Sequence, residues 1–140
     1  FYPSRAPARN RTGGRPPRRN FVAPHARRYP RRVTPKLYSV LTHGGDELVV
    51  FLHAVGGDHG SWRPQVEALR GRYTTLAFDM RGHGRSFSPD RPPISIANFA
   101  DDALRLVDEA GFIRAHFVGL SMGGVVAQEI FARAPDRVQS

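Results

Sequence analysis

The 140-residue chain contains no cysteine, a single lysine and no long apolar run. Without cysteine it forms no disulfide, uses no thiol nucleophile and builds no cysteine-based zinc site. The longest apolar run covers residues 48–52, whereas a membrane-spanning helix needs about 20 apolar residues. We therefore expect a cytoplasmic protein without a membrane partner.

Acidic residues are absent from the first 36 positions, which hold ten arginines and one lysine. The remaining residues carry ten arginines and 12 acids, so the net charge of +9 originates in the N-terminal segment. That segment is rich in proline and poor in aliphatic side chains, and it cannot bury enough apolar surface to offset the entropy of ordering. We expect residues 1–36 to be a disordered basic leader and residues 37–140 to be the N-terminal part of a folded domain.

After the leader, patterns typical of strands alternate with patterns typical of helices. Residues 48–52 are apolar throughout, as in a buried middle strand of a parallel sheet, and the Gly44-Gly45 pair before them is the turn signal of a hairpin. The other predicted strands are residues 37–41, 74–78 and 115–118; the predicted helices run from a Ser61 cap to Leu69, from a Ser95 cap over residues 96–110, and over residues 124–134. This alternation predicts the α/β class, with a mostly parallel central sheet flanked by helices and a site at the carboxyl ends of the strands.

Residues 119–123 read Gly-Leu-Ser-Met-Gly and lie between the last predicted strand and the last predicted helix. The Gly-x-Ser-x-Gly pattern in this position is typical of a nucleophile elbow, a sharp turn that lifts a serine hydroxyl above the sheet edge. Such a turn usually gives the serine a positive φ and leaves no room for side chains at the two glycines. We predict that Ser121 is a nucleophile; the alternative is a glycine-rich turn with an incidental serine.

Three motifs in this order resemble the α/β-hydrolase fold superfamily over residues 37–140. The first is the His-Ala-Val-Gly-Gly loop at residues 53–57, in which Ala54 stands where the family ordinarily has glycine. The second is Asp-x-Arg-Gly-x-Gly-x-Ser at residues 79–86, and the third is the elbow.

The resemblance implies that Ser121 is the catalytic nucleophile and that the backbone N–H groups of Met122 and Val55 form an oxyanion hole. It implies structural roles for the other motif residues, which are His53, Gly119, Gly123 and Asp79. The family's general base and orienting acid follow the elbow, beyond Ser140, so we expect the chain to be an inactive fragment of the hydrolase. No metal and no cofactor are expected.

The implied activity is hydrolysis of a small-molecule carboxylic ester or lactone through an acyl-serine intermediate. Carbon–carbon bond hydrolases, thioesterases and perhydrolases of the same fold are alternatives. A different class is a non-catalytic fragment whose basic leader binds a polyanion, although nucleic acid is not the partner that we expect. Among the other polar residues, we interpret His59 as lining the pocket entrance, and Asp101, Asp102, Asp108 and Glu109 as the solvated face of their helix. The sequence predicts no oligomeric state.

Overall fold

The structure, a computed structural model, describes residues 35–89 and 94–140. The predicted leader therefore lies outside the described residues, except for Pro35 and Lys36. The strands are β1 (Ser39–Thr42), β2 (Leu48–Leu52), β3 (Thr74–Phe78) and β4 (His116–Gly119), and the helices are α1 (Arg63–Leu69), α2 (Ile96–Glu109) and α3 (Met122–Arg133). In this part of the chain, no helix combines the length and the apolar character needed to cross a membrane.

The four strands form one sheet in the order β1-β3-β2-β4. Strand β2 runs parallel to both of its neighbours, with Val50 opposite Leu76 of β3 and opposite Phe117 of β4. Strand β1 pairs antiparallel with the outer side of β3. The predicted α/β class with a mostly parallel sheet is confirmed, and the carboxyl ends of β2, β3 and β4 meet at one edge.

Helices cover both faces of this sheet. Strand β2 is buried along its whole length, and alternate side chains enter two separate apolar clusters. The larger cluster holds residues of α2 and α3 together with Leu48, Val50 and Leu52. The smaller cluster holds Val49, Phe51 and Trp62, and residues of α1 pack against the edge of this cluster. The apolar run at residues 48–52 is explained by this burial on both faces.

The predicted hairpin is wrong, because β1 pairs with β3 and not with β2. The glycine pair crosses the start of β3: a Cβ on Gly44 would lie 2.2 Å from the Tyr73 carbonyl oxygen, and one on Gly45 would lie 2.0 Å from that of Arg72. Thr74 Oγ1 accepts from the Gly44 N–H and donates to the Gly45 carbonyl. The glycines thus serve a close backbone approach rather than a two-residue turn.

Helix starts differ from the prediction at two places. Asp58, not Ser61, caps the 3₁₀ turn His59–Trp62 by accepting from the Gly60 N–H, and α1 begins only at Arg63. The last helix begins at Met122, directly after the elbow serine, rather than at residue 124. By contrast, Ser95 caps α2 as predicted, with its hydroxyl accepting from the Asn98 N–H at 3.1 Å.

Candidate active site

Ser121 lies at the junction between β4 and α3, with φ 52° and ψ −114°. Among the described residues it is the one non-glycine residue with positive φ, a conformation that costs an L-residue of order 1–3 kcal/mol. Its side chain is exposed and caps no helix N–H group. The turn therefore presents the hydroxyl at the carboxyl edge of the sheet, in the backbone conformation that the elbow pattern predicts.

The two elbow glycines occupy positions without space for a side chain. A Cβ on Gly119 would lie 2.3 Å from the carbonyl carbon of Gly123, and a Cβ on Gly123 would lie 2.0 Å from the Leu52 carbonyl oxygen. The Leu120 N–H donates to the same Leu52 oxygen at 3.1 Å. The elbow is thus packed directly against the end of β2.

Residues 54–57, which follow the end of β2, form a tight turn. The Gly57 N–H donates to the Ala54 carbonyl at 3.0 Å, and Gly56 has φ +75°. A positive φ at the third residue alone is the signature of a type II turn, for which glycine is suited at that residue. Because Ala54 does not have a positive φ, alanine fits where the family ordinarily has glycine.

His53 is buried beneath this turn, and both of its ring nitrogens are occupied. Nε2 accepts from the Met80 N–H at 3.0 Å, and Nδ1 lies 2.7 Å from the Ala54 carbonyl oxygen. Burial lowers the pKa of His53 below its usual 6.5, against the opposing effect of the Ala54 carbonyl. A neutral ring with its proton on Nδ1 satisfies both contacts, since a carbonyl oxygen only accepts.

Asp79 ends β3 as a fully buried carboxylate. Its Oδ1 accepts from the backbone N–H of His59 at 2.7 Å and lies 2.6 Å from His59 Nδ1, and its Oδ2 accepts from the Arg85 N–H at 2.8 Å. Burial would raise the pKa of Asp79, but the hydrogen bonds from His59 and Arg85 outweigh it and hold the pKa below its usual value. The carboxylate joins the loop after β2 to the loop after β3.

The ring of His59, the residue interpreted as lining the pocket entrance, is half-buried. Besides its contact with Asp79, its ring packs against Tyr38 with 4.8 Å between centroids. Asp58, His59 and Asp79 bring one ligand-type atom each within 4.8 Å of one another, but both carboxylates already accept protein hydrogen bonds. These contacts order the loops.

Asp102 is not on a solvated face, and this part of the prediction is wrong. It is buried and forms a two-pronged ion pair with Arg81, with Nε–Oδ2 at 2.6 Å and Nη2–Oδ1 at 2.7 Å. A helical signal was present in the sequence: Asp102 lies three residues after Phe99 and four before Leu106, both of which are buried. Arg81, the arginine of the second motif, is its partner.

Two backbone N–H groups at this edge have no protein acceptor within the described residues. Met122 is the first residue of α3, where N–H groups lack an intrahelical partner, and the Val55 N–H lies in the turn after β2. Both segments are held against the end of β2, since Leu52 bonds the elbow and His53 bonds the turn. The structure gathers Ser121, Met122 and Val55 at the carboxyl ends of two adjacent strands.

Comparison with known proteins gives the same family as the geometry. A family model described as "alpha/beta hydrolase fold" matches residues 47–140. The chain is 43% identical over 97 residues to the dihydrolipoyllysine-residue acetyltransferase component of the acetoin cleaving system of Cupriavidus necator, covering 69% of this chain and 26% of that protein. It is 40% identical over 98 residues to a putative carbamate hydrolase RutD of Azorhizobium caulinodans, covering 70% of this chain and 37% of that protein.

A solved structure gives the corresponding result for the fold. The enol-lactonase from Burkholderia xenovorans LB400 superposes with a TM-score of 0.67 at 37% identity, covering 73% of this chain and 40% of that chain. The chain therefore spans well under half the length of these proteins. With the family model matched over about two thirds of its residues, the chain belongs to the alpha/beta hydrolase fold family.

Proposed function

We propose that this chain supplies the nucleophile and the oxyanion hole of a hydrolase that cleaves carboxylic esters or lactones. The observation that carries the proposal is the exposed Ser121 in a strained turn, beside the N-terminus of α3. The Met122 N–H and the Val55 N–H are the donors for the oxyanion. The N-terminal end of the α3 dipole adds to the stabilisation of negative charge there.

In the first half of the reaction, Ser121 Oγ attacks the carbonyl carbon, and its proton passes to a general base. The carbonyl oxygen takes the negative charge and accepts hydrogen bonds from the two N–H groups, each worth about 2.7–4 kcal/mol of barrier. Collapse of the intermediate breaks the bond to the alkoxy oxygen, which leaves with the base's proton. From a lactone, this new hydroxyl remains attached to the acyl chain.

In the second half, a water molecule attacks the acyl-serine carbonyl and gives its proton to the same base. The bond to Ser121 Oγ then breaks, the base returns its proton to Oγ, and the carboxylic acid is released. The same two N–H groups stabilise this second oxyanion.

The general base belongs to a histidine that we place after the elbow in the full-length protein. Four of the five histidines in the described part have other partners. Nδ1 of His53 contacts the Ala54 carbonyl oxygen, that of His59 contacts Asp79 Oδ1, that of His83 contacts the Arg81 carbonyl oxygen, and that of His116 contacts Ser140 Oγ. His116 starts β4, at the opposite end of the strand from Ser121. His43 is exposed in the β1–β2 connection, near the start of β2 rather than its carboxyl end.

Esters and lactones are the substrate class that the similar proteins favour, since one is named an enol-lactonase. The carbamate hydrolase name of another also describes attack on an acyl carbonyl. Carbon–carbon bond hydrolases, thioesterases and perhydrolases use the same elbow, so product analysis on a panel of substrates decides among them.

The test uses the full-length protein, p-nitrophenyl acetate and a fluorophosphonate probe. We expect turnover and stoichiometric labelling of Ser121, both abolished by Ser121→Ala. Ser39→Ala, a change at an exposed serine of β1, is the matched control and should retain both. Turnover in Ser121→Ala equal to that of the unmodified protein would refute the proposal.

A further inference from the structure

We propose that His53 is a positioning residue for the oxyanion hole: its Nδ1–H, bonded to the Ala54 carbonyl, fixes the direction of the Val55 N–H. The inference rests on the proposed function, because the Val55 N–H has an oxyanion to stabilise only if Ser121 attacks an acyl carbonyl. It assigns a catalytic consequence to a histidine that never touches the substrate.

The peptide that joins Ala54 to Val55 sets the direction of the Val55 N–H. In a trans peptide, the C=O of one residue and the N–H of the next lie in one plane and point in opposite directions. The Ala54 carbonyl is directed at the buried His53 ring, 2.7 Å from Nδ1. The Val55 N–H therefore points away from that ring, and no protein acceptor within the described residues accepts a hydrogen bond from it.

The ring itself is held in a single tautomer from its other side. The Met80 N–H donates to Nε2 at 3.0 Å, so Nε2 carries no proton and Nδ1 must carry it. Met80 follows Asp79 directly after β3 and is fully buried, so its N–H is a fixed donor. A chain of two hydrogen bonds therefore runs from the end of β3 to the Ala54–Val55 peptide.

One other group restrains this peptide. The Gly57 N–H also donates to the Ala54 carbonyl, at 3.0 Å. Because Gly56 and Gly57 both lack a Cβ, this turn has wide backbone freedom and is a weak restraint by itself. The space beside the ring is nevertheless tight, since a Cβ on Gly57 would lie 3.2 Å from the Ala54 oxygen and 3.5 Å from His53 Nδ1.

Two amide substitutions separate positioning from stability. In His53→Asn the side-chain amide reaches the place of Nδ1 and keeps the donor to Ala54, but it loses the acceptor for the Met80 N–H. In His53→Gln the amide reaches the place of Nε2 and keeps that acceptor, but it loses the donor to Ala54. Each variant loses one buried hydrogen bond, so we expect similar decreases in Tm.

Their kinetics should differ. Loss of one oxyanion donor costs roughly 10²–10³-fold in kcat, so a misdirected Val55 N–H in His53→Gln should lower kcat on p-nitrophenyl acetate by about 10–100-fold with little change in KM. His53→Asn should remain within about threefold of the unmodified protein. Equal losses in the two variants, or an unchanged kcat in His53→Gln, would overturn the inference. Undiminished turnover in Ser121→Ala would instead remove the proposed function.

A measurement on the unmodified protein covers the case in which a variant fails to fold. In ¹⁵N NMR spectra of the imidazole at neutral pH, His53 should be the Nδ1–H tautomer. When a fluorophosphonate on Ser121 places its phosphoryl oxygen in the hole, polarisation of the peptide should shift the Nδ1–H resonance. An Nε2–H tautomer, or a resonance unchanged by the adduct, would contradict the proposed connection.

Discussion

The carbonyl oxygen of Leu52 lies 2.0 Å from the position that a Cβ on Gly123 would occupy. This contact joins the end of β2 to the first turn of α3, and the Leu120 N–H, on the other side of Ser121, donates to the same oxygen. Ser121 is therefore positioned by backbone packing on both sides, so the glycine requirement at the elbow is steric.

Gly123→Ala should consequently destabilise the protein, although alanine is the better helix former by about 1 kcal/mol. The Cβ would overlap backbone of the central sheet, which cannot move as a flexible side chain can. We expect a lower urea midpoint. Gly124→Ala is the matched control, because its Cβ would have no neighbour closer than 3.7 Å, and it should leave the midpoint unchanged or raise it.

Ser121 itself should limit stability through its backbone. Glycine adopts positive φ without steric cost, so Ser121→Gly should be more stable than Ser121→Ala by roughly 1 kcal/mol. Both variants lack the hydroxyl, and the difference in unfolding free energy isolates the backbone term. Equal stabilities would show that the turn at residue 121 stores no strain.

Local signals in the sequence predicted much of this fold. Strand β2 is buried on both faces, so its sequence is apolar throughout. Helix α2 is buried on one face, so its apolar residues recur with the helical period, and its Ser95 cap bonds within the first turn. The hairpin failed for the opposite reason. The Gly44-Gly45 pair fits a turn, but β3, some 30 residues later in the sequence, pairs with β2 on the side where the hairpin would have put β1.

The candidate site likewise combines features that a local sequence pattern predicts with contacts between residues far apart in the sequence. The elbow could be read from a five-residue pattern, whereas the ion pair of Arg81 and Asp102 depends on how α2 packs against the loop after β3. The bond between His53 and the Ala54 carbonyl is local, but the Met80 N–H that fixes its tautomer is 27 residues away. Such contacts are set by tertiary packing.

Stability should fall as the pH is lowered through mildly acidic values. The pKa of His53 lies below its usual 6.5 in the folded protein, so the unfolded chain binds the proton first and folding loses free energy as the pH falls through and below 6.5. Three neighbouring groups also act on the pKa of His53: His83 lowers it, and the carboxylates of Asp79 and Asp58 raise it. Asp79, with a pKa below 3.8, adds a second loss in stronger acid.

Urea unfolding between pH 7.5 and 5 tests the His53 contribution. We expect a declining midpoint for the unmodified protein and a flatter profile for His53→Gln, which has no proton to take up. His43→Gln replaces an exposed histidine and should keep the original decline. Parallel profiles for all three proteins would contradict this assignment.

The ion pair between Arg81 and Asp102 should be the most sensitive polar contact outside the elbow. Their side chains are 9% and 4% exposed, and removing one partner of a buried pair typically costs about 3–5 kcal/mol because the other charge remains buried. We expect a loss of that size for Asp102→Ala, measured by urea unfolding. Glu67→Ala, which removes the exposed pair with Arg70, should cost about 0–1 kcal/mol.

A double variant distinguishes the net contribution of the two buried charges from the cost of removing only one of them. Arg81→Met with Asp102→Leu replaces both charges by apolar side chains, and such replacements of buried pairs are often neutral or stabilising. We therefore expect the double variant to recover most of the stability that Asp102→Ala loses. If it is as unstable as Asp102→Ala, the polar contacts of these two side chains contribute net stability of their own, and the pair that ties α2 to the loop after β3 is among them.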